Sequence, residues 1–406
     1  MGMELSFPLI LDGATGTQLQ KRGYTGEECA ESWILKHPDA ILEIQRGYVA
    51  AGSRVIYAPT FGANRVKLEQ HGIFGKVEEY NRALVALSRK AAGDRAWVAG
   101  DIAPTGLLLY PLGTASFAEL LEVYTEQAAA LENAGVDLFV IETMMTLAEA
   151  RAALLAVKSV SSKPVFVSFT CDAQGRTLTG SDVTAALQVM QGMGTDAFGL
   201  NCSVGPEEML VQLQRLHEIA RVPLIAKANA GIPEIVNGET VYDCPPERFT
   251  GCMEAMAQAG VSIFGGCCGT GSGHVAAMAA AAQGLKPCAP APEHGDLLPC
   301  ATEKEVFFLD PAAEHGAVLP CDEQLEDALA EDQEEAEMVA IAIQNTEELD
   351  NFADCQFMIT KPLCIVCDDA GLLEEALRLY QGRALYEGSL SEEDLLPMCR
   401  KYGLII

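Results

Sequence analysis

Eight short apolar runs recur through the first 286 residues of this 406-residue chain, at 9–12, 54–60, 97–103, 137–142, 164–170, 197–202, 223–229 and 261–268. Several are continuous rather than alternating, as expected of strands buried on both faces. Amphipathic stretches such as 117–134 and 147–158 lie between them. Strand and helix in alternation favour parallel pairing, because each helix carries the chain back to begin the next strand. Eight such units in this length predict an α/β fold, a (β/α)8 TIM barrel over residues 1–286. A doubly wound open sheet is the alternative, since a count of strands says nothing about closure.

In such a barrel the chemistry gathers at the C-terminal ends of the strands. Polar residues fall there: Asp12, Thr60 and Glu142 close the first, second and fourth runs, Asp101 lies near the end of the third, Cys202 closes the sixth and Asn229 the seventh. Cys267 and Cys268 close the eighth. One mouth would collect them all.

The three cysteines stand apart from the other eleven of the chain, which are scattered as small buried hydrophobes often are. Gly265, Gly266 and Gly269 bracket the Cys267-Cys268 pair. Packing alone does not need that; a tight turn close to a ligand does. Three thiolates at two strand ends suit zinc with one coordination position open, the arrangement of a catalytic site rather than a structural one. Such a soft centre would take a substrate thiol as its fourth ligand and strip its proton. Hydrolysis fits less well, because zinc that activates water has histidine or carboxylate ligands, and no histidine falls at a strand end.

Asp12 leads the turn Gly13-Ala14-Thr15-Gly16-Thr17. Neither a dinucleotide fingerprint nor a P-loop lysine is present, so the turn is read as offering backbone N–H groups to a carboxylate. Asp12 and Glu142 together could hold an ammonium; the plain alternative is that either caps a helix.

Charge divides the chain. From residue 287 onward there are 27 acidic and 6 basic side chains, −21 of the formal −30. A surface so acidic repels nucleic acid and anionic membrane. No run approaches the length of a membrane span and the N-terminus lacks a signal pattern, so a cytoplasmic setting with reduced thiols is expected. Residues 287–320 carry six prolines and read as a linker with one short strand at 305–309. Residues 321–406 read as a small acidic α/β module, with strands at 338–343, 357–359, 363–366 and 384–386 and helices at 371–381 and 392–402. Its Cys364 and Cys367 fall inside a strand pattern and are expected to be structural.

The runs Leu9-Ile10-Leu11-Asp12-Gly13-Ala14-Thr15-Gly16-Thr17, Gly199-Leu200-Asn201-Cys202 and Gly265-Gly266-Cys267-Cys268-Gly269 resemble the homocysteine S-methyltransferase family over roughly residues 8–285. Within it, Gly100-Asp101-Ile102-Ala103-Pro104-Thr105-Gly106 and Asn229-Ala230-Gly231-Ile232-Pro233 look most like the homocysteine domain of cobalamin-dependent methionine synthase. The resemblance implies zinc held by Cys202, Cys267 and Cys268; Asn229, which ends the seventh run between the two that carry the thiolates, is expected as a weak fourth ligand before substrate arrives. It implies that Asp12 and Glu142 receive the homocysteine amino group, and Gly13, Thr15, Thr60 and Asn201 are expected to complete the seat. No Asp-x-His-x-x-Gly sequence of the cobalamin type occurs in the chain. Methylcobalamin on a separate corrinoid protein is therefore the expected methyl donor, with S-adenosylmethionine or S-methylmethionine as alternatives. A homocysteine-binding or corrinoid-docking module without turnover is the reading from another class. Oligomeric state has no sequence signal.

Overall fold

All eight apolar runs form strands of one parallel sheet: β1 (Leu9–Ile10), β2 (Val55–Tyr57), β3 (Trp97–Ile102), β4 (Leu138–Met144), β5 (Val165–Phe169), β6 (Ala197–Asn201), β7 (Leu224–Ala228) and β8 (Val261–Gly266). The computed structural model describes residues 6–236, 239–291, 295–331 and 336–406. The strand order is β1-β8-β7-β6-β5-β4-β3-β2. Between β1 and β2 the backbone contact is a single bond, Arg54 N–H to the Ile10 carbonyl at 2.8 Å. One turn further up, the Asp12 carboxylate accepts the Tyr57 N–H at 2.8 Å. The result is a nearly closed (β/α)8 barrel.

Side-chain alternation along the strands builds two shells. Leu9, Val55, Leu138, Val140, Phe166 and Ile225 fill the barrel interior. Their neighbours, among them Phe139, Ile141 and Val167, face outward into the layer beneath the helices. Helix starts follow capping chemistry. Ser116 accepts from Glu119 N–H at the head of Phe117–Ala134, and Thr146 accepts from Glu149 N–H at the head of Leu147–Val160. Glu149 then reaches away from its own helix and accepts the Thr105 N–H at 2.8 Å, pinning the loop after β3.

Beyond the barrel, Leu298–Ala301 and Val306–Leu309 pair as an antiparallel hairpin. A second parallel sheet follows, made of Leu319–Pro320, Val339–Ala342, Leu363–Val366 and Leu385–Glu387 in sequential order. The segment 357–359, expected as a strand, is instead part of a 3-10 turn, Gln356–Met358. It is the tail of the helix Thr346–Cys355, which Asn345 caps; three apolar residues are too few to distinguish a strand from a helix end. Cys364 and Cys367 are both buried, and the Cys367 thiol donates to the Asp369 carbonyl.

Barrel and module share one continuous apolar core, running from Ile10 to Leu404. At its centre lies Arg151, fully buried on the helix Leu147–Val160. Its guanidinium donates to the carbonyls of Leu377 at 2.7 Å and Arg378 at 3.2 Å and to Gln381 Oε1 at 3.2 Å. Those carbonyls end the helix Ala370–Leu379, where a cation suits the orphan acceptors and the helix dipole. Burial pulls the Arg151 pKa down to about 10, which still leaves it charged at neutral pH. Among the described residues, no helix is long and apolar enough to cross a membrane.

Candidate metal and substrate site

The thiols of Cys202, Cys267 and Cys268 converge at the C-terminal mouth, all within 4.8 Å of one another. Cys202 follows β6 and its N–H donates to the Lys227 carbonyl at 3.1 Å; Cys267 follows β8 and donates to the Ala228 carbonyl at 2.7 Å. Strand β7 thus ties both cysteine loops from between them. The backbone is held in rare conformations here. Among the described residues, Thr143, Cys202 and Ser203, with φ of 60°, 63° and 60°, are the non-glycine residues found in the left-handed region. Such strain costs about 1–3 kcal/mol per residue and collects at functional sites. Gly269 is also left-handed, at φ 83°, and a Cβ there would meet the Tyr242 Cβ at 2.4 Å.

The clustered thiols resist ionisation. A hydrogen bond with Cys202 leads, and burial adds, in pushing Cys267 up to about 12. Cys268 stands at about 11, where the Cys202 bond pulls down but the Cys267 bond and burial outweigh it. Three clustered sulfurs that would otherwise stay protonated fit a thiophilic cation, which reverses that balance by binding the thiolates. Zinc, indifferent to geometry and at home with sulfur, matches the donor set.

A cavity of 280 Å³ opens beside the thiols, and Asp12, Thr15, Asp101, Glu142, Lys227 and the three cysteines are among its lining residues. Asp12 is buried. One oxygen takes the Tyr57 N–H and the other has no hydrogen-bond partner. Burial pushes its carboxyl up to about 7, against the pull of Lys227 and the Tyr57 N–H. Burial first, and Glu142 second, hold Asp101 well above the usual carboxylate range. Lys227 Nζ lies 3.3 Å from Glu142 Oε2, 3.9 Å from Asp12 Oδ1 and 4.5 Å from the Tyr57 ring centre.

The remaining expected residues divide by position. Asn201 does not line the cavity; its Oδ1 accepts the Thr143 N–H and the Ser168 hydroxyl, each at 2.8 Å, and its amide donates to the Thr143 hydroxyl at 2.7 Å. It therefore holds the left-handed Thr143, which does line the cavity. Thr60 is fully buried, and its hydroxyl bridges the Asp101 carbonyl and N–H at 2.8 and 3.1 Å. Gly13 packs on Tyr48, where a Cβ would lie 2.9 Å from the phenol oxygen. Asn229 is buried beyond β7, with its Oδ1 lacking a partner.

Lys227 was not singled out by the sequence reading. Its signal is the lone charge inside the apolar run Leu224-Ile225-Ala226-Lys227-Ala228 of a strand that both faces bury.

A parallel barrel with a thiol triad at its mouth and paired carboxylates beside it offers the donors that a thiophilic metal ion takes. The chain belongs to the homocysteine S-methyltransferase family, whose model matches residues 9–282. It is 31% identical over 296 residues to the methionine synthase of Mycobacterium tuberculosis, covering 68% of this chain and 25% of that protein. The methionine synthase of Mycobacterium leprae is 32% identical over 291 residues, covering 67% of this chain and 24% of that protein. The chain thus spans about a quarter of the length of these relatives. The metallated form of the homocysteine methyltransferase MmuM from Escherichia coli superposes with a TM-score of 0.58 at 23% identity. The match covers 67% of this chain and 95% of MmuM, and it shows the shared barrel.

Proposed function

We propose that this protein is a zinc-dependent homocysteine S-methyltransferase that turns homocysteine into methionine. The observation that carries the reading is the thiol triad opening onto a small cavity lined by Asp12 and Glu142. At 280 Å³ that cavity falls at the small end of ligand pockets and suits one small amino acid. Cys202, Cys267 and Cys268 would hold the zinc, with Asn229 Oδ1 as the weak fourth donor that a substrate thiol displaces. Bound there, zinc would lower the pKa of the incoming thiol, leaving it nucleophilic at neutral pH.

The protein's own residues supply position. Asp12 and Glu142 take the substrate ammonium, and Thr143, held by Asn201, shapes the wall between them and the thiols. The sulfur loses its proton, its lone pair forms the new S–C bond, and the donor–methyl bond breaks with its electrons leaving on the donor. We take the donor to be methylcobalamin on a separate corrinoid protein, and the acidic C-terminal module to tune docking of that partner. The barrel division at residue 286 belongs to the same proposal.

The test is homocysteine binding together with methyl transfer from methylcobalamin, S-adenosylmethionine and S-methylmethionine in parallel. Transfer from the first alone supports the reading, and transfer from another reassigns the donor. Tight homocysteine binding without turnover from any of the three identifies a binding module instead. Glu142→Gln should weaken homocysteine binding about 10- to 150-fold, the scale of one hydrogen bond to a charged group, and spare zinc. Unchanged affinity in both Glu142→Gln and Asp12→Asn would move the ammonium seat elsewhere.

Asp12 also predicts a pH signature. Only its ionised form attracts an ammonium, and its pKa sits at about 7. The affinity advantage of wild type over Asp12→Asn should be full above about pH 8 and largely lost by about pH 6. The ratio cancels proton loss from the thiol itself, so calorimetric titrations of the two proteins suffice. A ratio independent of pH would remove Asp12 from the ammonium seat.

A further inference from the structure

The cavity holds one cation among its acids, and that cation has donors to spare. Lys227 is 4% exposed, yet its ammonium makes a single hydrogen bond, to Glu142 Oε2 at 3.3 Å. Asp12 Oδ1, at 3.9 Å, is too far for a second. A third side of the ammonium faces the Tyr57 ring, 4.5 Å from its centre, a weaker contact than a hydrogen bond. Asp12 Oδ1, lining the same cavity, is a buried acceptor with no hydrogen-bond partner. A buried acceptor without a partner and an under-used buried donor are each costly alone. Side by side they describe a ligand carrying both charges.

The barrel is built to let this lysine through. In the β8–β7 register Gly265 stands opposite Lys227, and a Cβ on Gly265 would lie 3.0 Å from Lys227 Cγ. A glycine in a strand marks such a close approach. The turn after β1, the other source of donors for a carboxylate, is partly committed: the Ala14 N–H already donates to the Thr270 hydroxyl at 3.1 Å.

We infer that Lys227 is a specificity residue of the substrate seat, pairing with the α-carboxylate while Asp12 and Glu142 take the α-ammonium, so that the site selects a zwitterionic α-amino acid. This rests on the homocysteine reading and adds to it the residue that recognises the acid group. Signs then alternate around the ligand, and the net charge of the cavity is unchanged by its arrival. A thiol with an ammonium but no carboxylate leaves Lys227 without its partner.

The test is a calorimetric panel on the full-length, zinc-loaded protein, using homocysteine, 3-aminopropanethiol without the carboxylate, and 2-aminobutanoate without the thiol. Wild type should prefer homocysteine to 3-aminopropanethiol by about tenfold or more. Lys227→Met should lose that preference by weakening homocysteine alone, and Lys227→Arg should restore part of it. Zinc content and the thermal transition check each variant. Should Lys227→Met fail to fold, the wild-type preference and Lys227→Arg still decide. Equal wild-type affinity for the two thiols overturns the inference. So does an equal loss for both in Lys227→Met, which would make Lys227 a mere support for Glu142. Wild type that binds 2-aminobutanoate in a Lys227-dependent way but ignores both thiols keeps this seat and sinks the homocysteine reading; failure to bind any of the three sinks both.

Discussion

Changing Cys202, Cys267 or Cys268 singly to alanine is expected to abolish tight zinc binding and methyl transfer together, while the barrel stays folded. The three sulfurs form the group able to hold a metal ion that is found among the described residues. Tight zinc sites draw about 10–16 kcal/mol from a complete ligand set, so loss of one of three thiolates should weaken binding by orders of magnitude. The fold is insulated from this loss. Its interior and outer shells are apolar and surround the strands below the mouth. Alanine also leaves the left-handed backbone at Cys202 as strained as before, so stability should change little. Metal analysis and a thermal transition on each variant check both halves, with Zn–S distances of about 2.3 Å expected in wild type. Full zinc retention in any single variant would remove that cysteine from the ligand set.

Arg151→Met should have the largest effect on stability, because it cuts a charged bridge at the centre of the shared core. Truncating one partner of a buried, hydrogen-bonded charged contact costs about 2–5 kcal/mol. Here it strands the Leu377 and Arg378 carbonyls that end the helix Ala370–Leu379. Denaturant unfolding should show this loss with homocysteine affinity unchanged, since Arg151 lies outside the cavity lining. A protein ending near residue 288 should suffer a comparable loss and still bind zinc and homocysteine, as no residue beyond 287 lines that cavity either. Unaltered stability in Arg151→Met would mean that the module only rests on the barrel.

The barrel was legible in sequence because buried parallel strands are written as continuous apolar runs, and because polar residues fall at or near the ends of those runs. The cysteine cluster was legible from its glycines. Asp12 and Glu142 were paired from their places at strand ends; what escaped was Lys227 beside them. Asp12, Glu142 and Lys227 follow or sit on strands β1, β4 and β7, which are not sheet neighbours. They meet only because the sheet curls round on itself, and no spacing along the chain encodes that curl. Thr60 and Asn201 were visible as strand-end polars, but whether such a side chain faces the cavity or braces a neighbour is decided by packing. In the module, Leu319–Pro320 was hidden by a proline that suggests linker, although an edge strand tolerates it.

The hairpin of Leu298–Ala301 and Val306–Leu309 changes the nature of the second sheet. Ala340, Cys364 and Leu385 stand in register across three of its strands. In a growing barrel that row would be the first layer of an enclosed interior, waiting for further strands to come round. The hairpin seats Cys300 and Leu309 in the same cluster instead, with Leu298 and Phe307 packed against it. Val339, Ile341, Leu363 and Ile365 point the other way, into the core shared with the first barrel. Four strands therefore bury both of their faces without closing a ring.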